Sequence, residues 1–159
     1  PLKAGLPIVI DIFPQHMRTG YWGDLTRTFM KPPVERKWID LWRTVRAAHE
    51  AALRQVKPGV SFRSVHRAAQ AAMEQRGYRT DLSAAQPIGF IHSIGHGVGL
   101  DVHEDPFVGK KTRLRSGHVI TIEPGFYFPG QGGVRIEDLV VVTPEGAKIP
   151  VHCPYGWKV

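Results

Sequence analysis

The spacing of hydrophobic positions changes along the chain, and each change predicts an element. LPIVIDIF (6–13) is a short apolar run rich in β-branched residues, which predicts a buried strand. PQHMRTG follows as a turn-forming loop, and YWGDLTRTF (21–29) predicts a returning strand, so the two make a hairpin. After Pro32 and Pro33 the apolar positions recur every three or four residues: Val34, Trp38, Leu41, Val45, Ala48, Ala52 and Val56. That is one helical stripe, with Arg36, Asp40, Arg43, Glu50 and Arg54 lying off it. KPG (57–59) ends this helix. Ser61 is placed to cap a second one, with Val65, Ala68, Ala69, Ala72 and Met73 inward and Gly77 as its stop.

The next stretch, HSIGHGVGLDVHE (92–104), breaks the pattern. Glycines at 89, 95, 97 and 99 argue against a helix, so His92 and His96 are not read as an i, i+4 helical pair. Extended chain with close backbone approach fits better. HVITIEPGFYF (118–128) and GGVRIEDLVVVT (132–143) then predict a second hairpin, joined through PGQGG. The two hairpins echo each other: Asp11 and Asp24 sit on the strands of the first, Glu123 and Glu137 on those of the second. Facing each other, they would bring four carboxylates together.

Composition places the chain among ordinary globular domains and narrows the function classes. Its 159 residues suffice for one domain with a core. No apolar run approaches the roughly 20 residues needed to span a bilayer, and the first residues lack the basic region and cleavage site of a signal peptide. The start, without Met and already strand-like, is read as the interior of a longer protein. The single cysteine, Cys153, precludes an internal disulfide and fits a reducing, cytoplasmic compartment. Net charge is +7, and ten Arg and Lys face four acids between Glu35 and Arg79. We read this as a solvated helical face and expect no nucleic-acid partner, because neither zinc-finger spacing nor an aromatic platform accompanies it. No membrane partner is expected either.

Asp11 and Glu123 each follow a β-branched apolar run, where a carboxylate costs several kcal/mol unless a cation or strong hydrogen bonds compensate. Two divalent cations would neutralise four converging carboxylates. Oxygen-rich ligation with one imidazole suits Mn²⁺, Co²⁺, Fe²⁺ or Zn²⁺. A two-metal centre holds its ions about 3.5–4 Å apart and performs hydrolysis.

VIDIF…GYWGDLTRTF, HSIGHGVGLDVHE, TIEPGFY and GVRIEDLVVV together resemble, in order, the successive motifs of the creatinase/aminopeptidase ("pita-bread") metallopeptidases. The likeness is greatest to the Xaa-Pro aminopeptidase and prolidase branch. It implies an α/β (α+β) fold, a curved, mainly antiparallel sheet with helices on its outer face, truncated at the N-terminus. Residues 1–159 would then form a single, partial catalytic domain. The resemblance implies metal ligation by Asp11, Asp24, His96, Glu123 and Glu137, with Asp24 and Glu137 bridging two ions, Mn²⁺ being the family's first choice. It gives His103 the role of binding the substrate carbonyl or tetrahedral intermediate, and Glu123 that of carrying a proton from the bridging water to the leaving nitrogen. His92 and Arg135 match residues of the proline-side pocket.

Plainer readings stand beside these: hydrogen-bonded turn carboxylates for Asp11 and Glu123, an Asx-turn for Asp24, a packed core histidine for His96. Thr26 and Asp138, adjacent to proposed ligands, could orient them. His49, His66, His118 and His152 are read as structural or surface. Ser93 stands where many relatives have Gly, and Glu104 where prolidase-like members often have Asp. The expected activity is hydrolysis of an Xaa-Pro bond at a peptide N-terminus. A methionine aminopeptidase-like enzyme and a non-catalytic pita-bread binding module are the rivals. A preceding segment would cover one face of the sheet, so the chain alone is expected to expose apolar surface, to form a homodimer and, as a fragment, to risk being inactive.

Overall fold

The computed structural model describes residues 2–109 and 112–159. Strands β1 (Ile8–Ile12) and β2 (Leu25–Phe29) form the first hairpin, with Asp11 opposite Thr26. Helices α1 (Arg36–Gln55) and α2 (Phe62–Glu74) follow. The remaining strands are β3 (Val119–Ile122), β4 (Gly125–Phe128), β5 (Gly132–Arg135), β6 (Asp138–Thr143) and β7 (Gly146–Lys148). All ladders are antiparallel: β1–β2, β4–β5, and β3–β6–β7.

The stripe expected for the first helix is the core. Trp38, Leu41, Val45, Ala48, Ala52 and Val56 are all buried, and α1 packs against α2 and against the second hairpin. Ser61 caps α2 as expected, its hydroxyl accepting from the Ser64 N–H at 3.2 Å, and Gly77 takes a positive φ of 84° just beyond the helix. Phe62, outside the expected stripe, is also fully buried. It sits on the first turn of α2, within the same core cluster.

The second hairpin is interrupted where one continuous pair of strands was expected. Ile122 pairs with Asp138 and Gly125 with Arg135, so the register is the same on both sides of the break. Pro124 has no N–H to donate to a ladder. Glu123 is drawn instead to the histidine segment, where its N–H bonds the Ile94 carbonyl at 2.8 Å. That segment runs antiparallel to β3: Val98 N–H bonds Val119 O at 3.0 Å, and Thr121 N–H bonds His96 O at 2.8 Å. It is extended, as its glycines predicted. The first hairpin joins the second through one bridge, Thr26 to Glu137, with Glu137 N–H on Thr26 O at 3.0 Å.

The expectation of a buried first strand is corrected. Ile10 and Ile12 are 47 % and 51 % exposed, and Asp11 is exposed too. Among the described residues β1 pairs along its length only with β2, so its apolar side chains have little to pack against.

Candidate metal centre

Each element delivers its polar residue to one place by strand alternation. Asp11 faces Thr26 across the first hairpin, and Asp24, two residues before Thr26, lies diagonally on the same face. In the shared register of the second hairpin Glu123 stands opposite Glu137. The histidine segment folds back on itself through a Gly97–Glu104 bridge, which sets His103 beside His96 with ring centroids 4.1 Å apart. Two glycines permit this: a Cβ on Gly95 would overlap the Thr121 carbonyl, and one on Gly97 the Asp105 carbonyl. The outcome is a cavity of about 140 Å³ lined by Asp11, Phe13, Asp24, His96, Val102, His103, Glu123 and Glu137. Every carboxylate and imidazole expected to ligate faces it, as does His103.

The local hydrogen bonds orient these groups. His96 Nδ1 sits 3.1 Å from Gly97 O, so this nitrogen carries the proton and leaves Nε2 free to ligate. Nε2 is 3.4 Å from Glu123 Oε1 and 3.7 Å from Asp24 Oδ2. Thr121 Oγ1 donates to Glu123 Oε1 at 3.2 Å. Thr26 Oγ1 donates to Glu137 Oε2. Ligand atoms of Asp24, His96 and Glu137 all lie within 4.8 Å of one another.

His92 and Arg135 stand at the side of this cavity. Arg135 reaches Asp11 with Nη2, the Tyr127 hydroxyl with Nη1 at 3.2 Å and Thr26 Oγ1 with Nε at 3.2 Å. His92 Nδ1 bonds Ser93 O at 2.7 Å, so its Nε2 accepts from the Tyr127 hydroxyl at 3.0 Å. Tyr127 therefore ties His92 to Arg135, a link missing from the motif reading. Alternation carries the signal, since 123, 125 and 127 share one face. Gly125 and Gly133 lie beside the tyrosine ring, where any Cβ would collide with it. Glu104, where the resemblance expects Asp, turns its carboxylate back to the Asp101 N–H of its own loop at 3.3 Å.

Of the remaining histidines, His49 is fully buried, with Nε2 3.1 Å from Asp138 Oδ2. His66 stacks on Phe90 with centroids 4.7 Å apart.

Crowding the acids raises their proton affinity. Burial, then repulsion by Glu123 and Asp24, pushes Glu137 up to about 9. Burial outweighs the attraction of Arg135 and lifts Glu123 to about 7. Asp24 rises to about 6 from burial and the charge of Asp11. His92 falls to about 4, chiefly through burial. Acids so placed resist ionising together unless cations share the space. The donor set of carboxylates and one imidazole fits hard or borderline divalent cations. The residues present therefore fit divalent cations.

A curved antiparallel sheet backed by helices, with acids and histidines gathered on its inner face, defines a pita-bread domain with a candidate metal centre. A family profile for metallopeptidase family M24 matches residues 1–144, and the chain belongs to that family. The Xaa-Pro dipeptidase of Pyrococcus furiosus is 38 % identical over 149 residues, which cover 92 % of this chain and 40 % of that protein. The probable dipeptidase PepE of Mycobacterium tuberculosis is 35 % identical over 156 residues, 97 % of this chain and 39 % of that protein. The crystal structure of the prolidase from Pyrococcus horikoshii superposes with a TM-score of 0.87 at 35 % identity, over 98 % of this chain and 43 % of that one. The chain thus spans about two fifths of the length of these relatives and forms part of the pita-bread domain.

Proposed function

We propose that this chain carries the metal-binding part of a peptidase that hydrolyses a peptide bond to a proline nitrogen near a peptide N-terminus. The observation that carries the reading is the convergence of Asp11, Asp24, His96, His103, Glu123 and Glu137 on one small cavity from four separate segments. Asp11, Asp24, His96, Glu123 and Glu137 would hold two divalent cations, Mn²⁺ first among them, with Asp24 and Glu137 between the two. Such a pair supplies Lewis acidity and a water of lowered pKa.

The chain's own side chains do the rest. Glu123 is the proton carrier: Thr121 occupies its Oε1, and Oε2, 3.9 Å from His92 Nδ1, is the oxygen left to hold the proton. His103 is placed to donate to the scissile carbonyl oxygen as charge develops there. Arg135, Tyr127 and His92 form one bonded wall, which we assign to the proline side. An Xaa-Pro bond is a tertiary amide without an N–H, so a wall that offers donors and ring faces suits it. Names of the relatives, Xaa-Pro dipeptidase and prolidase, support this substrate class.

Among the described residues no helix is long and apolar enough to cross a membrane. A cytoplasmic site of action belongs to the reading and rests on the lone cysteine, Cys153, unpaired in the structure. Self-association of the chain into a homodimer also belongs to it, supported by the exposed Ile10, Ile12 and Phe13 of the first hairpin.

Metal content after chelator-free purification, followed by assay on an Xaa-Pro dipeptide and a longer Xaa-Pro peptide, tests the proposal. About two ions per chain with cleavage of either peptide is the expected result. Release of N-terminal Met in preference to Xaa-Pro cleavage would select the methionine aminopeptidase-like alternative. No uptake of Mn²⁺ or Co²⁺ would select the non-catalytic binding module.

A further inference from the structure

Behind the cavity, on the side away from it, a second group of ionisable side chains is buried. Asp138 and Arg27 pair at 2.7 Å with side chains 1 % and 4 % exposed. Neither lines the cavity, and nor do His49 and Tyr155, which complete the group. We propose that Arg27, Asp138, His49 and Tyr155 act as positioning residues that fix the Glu137 carboxylate where it would hold the cations. The inference rests on the metal-binding reading above.

The geometry of Arg27 carries the case. A guanidinium has five N–H donors, and here there are five bonds. Nη1 donates to Thr26 O at 2.9 Å and to Glu137 O at 2.6 Å. Nη2 donates to Asp138 Oδ1 at 2.7 Å and to Cys153 O at 3.0 Å, and Nε to Pro154 O at 3.2 Å. Two of these acceptors are the carbonyls at the Thr26–Glu137 bridge, where the backbones of β2 and the second hairpin meet. With Glu137 N–H on Thr26 O and Thr26 Oγ1 on its carboxylate, Glu137 is held at its amide, its carbonyl and its side chain.

Asp138 in turn fixes Arg27, and two other elements fix Asp138. His49 comes from α1, with Nε2 3.1 Å from Asp138 Oδ2 and Nδ1 facing Arg46 at 3.5 Å. Tyr155 comes from the C-terminal segment; its hydroxyl donates to Asp138 Oδ2, and its ring lies under Arg27 and Arg46 at 4.4 and 3.4 Å. Burial lowers the proton affinity of His49, and its Nε2, enclosed without a well-aligned hydrogen bond, has Asp138 Oδ2 as its near neighbour.

A buried ion pair is a poor device for stability alone, because desolvation offsets most of its attraction. It is a good device for placement. A ligand shared by two cations must be held within about 0.5 Å, and its supporting contacts set metal affinity by about 10–100-fold. Here those contacts come from α1 and from residues 153–155, more than a hundred positions apart in the chain.

Cobalt(II) is the probe, since its visible absorption reports its coordination. In the full chain, Tyr155→Phe removes one hydroxyl and keeps the ring against the arginines. We expect it to melt within a few degrees of the parent, yet to bind the weaker of two Co²⁺ ions at least about tenfold less tightly, with a changed band shape. His49→Leu should do the same. His49→Gln, which keeps an N–H donor, should restore affinity and spectrum. Should His49→Leu fail to fold, Tyr155→Phe decides alone. Parent-like affinity and spectrum in Tyr155→Phe overturns the inference while leaving the metal centre intact. A parent chain that takes up no Co²⁺ overturns both.

Discussion

Glu123 and Glu137 face each other across the second hairpin, in the register that pairs Ile122 with Asp138 and Gly125 with Arg135. Like charges directly opposite in a ladder destabilise it. Raised proton affinity on both acids eases that repulsion, and a cation between them would do the same.

The pH dependence of the cation-free chain follows. Glu137 and Glu123 have folded-state pKa values raised to about 9 and about 7, so the folded chain binds more protons than the unfolded one above about 4.5. Their stabilising contribution is whole below the unfolded value and is lost as pH rises through the folded ones. His92, lowered to about 4, and His49, also lowered, act in the opposite sense: they cost stability as pH falls below about 6.5. In chelator stability should therefore fall by about 3 kcal/mol from pH 6.5 to 9, and the melting temperature with it. Mn²⁺ should abolish that decline. Thermal melts across this range, with and without Mn²⁺, check it; a flat profile in chelator would mean that the acids do not share the site.

His96 is the single imidazole among the proposed ligands, and its Nε2 faces both Asp24 and Glu123. His96→Ala should lower the bound metal from about two ions to about one and cut kcat/KM by about 10³-fold or more. Elemental analysis beside peptide cleavage reads both. Retention of two ions would remove His96 from the ligand set.

Arg135 joins Asp11, Thr26 and Tyr127 through a planar fork that lysine cannot reproduce. Arg135→Lys should keep the charge and lose about 10–100-fold in kcat/KM on an Xaa-Pro dipeptide. If the loss were equal on a substrate without proline, the wall would serve catalysis in general and not the ring.

Gly95 lies where any side chain would collide with the Thr121 carbonyl. Gly95→Ala should separate the histidine segment from β3 and cost about 2–4 kcal/mol or more in denaturant unfolding. Gly130, with open space around it, takes a positive φ of 70° and serves as the comparison. Gly130→Ala bears only the backbone penalty, about 1 kcal/mol.

Much of this was legible in the sequence because its signals are local or periodic. The α1 stripe from Trp38 to Val56 gives the core directly, and Ser61 and Gly77 mark the bounds of α2 by their chemistry. The candidate centre was legible through motif likeness and through alternation on paired strands. Contacts with no sequence period were not. Asp138 next to a proposed ligand hinted at support, but His49, some 90 positions earlier, and Tyr155 at the far end give no sign of meeting it. The break at Glu123–Pro124 was half visible: Pro124 lacks a donor, yet only the neighbouring Ile94 carbonyl explains where the Glu123 N–H goes. The exposure of β1 runs against its apolar composition, because burial depends on what packs against a strand as well as on its own residues.

Thr26 is the seam of the molecule. Its partner across the first hairpin is Asp11, its hydroxyl meets Glu137 in the second, and it receives a bond from Arg135. The two halves that echo each other in sequence are thereby riveted in the middle of the acid cluster, with Thr28 and Arg135 fastening them again beside it. Neither half can tilt without dragging the other, so the distance from one acid pair to the other is a property of the joint, while each hairpin sets the spacing within its own pair.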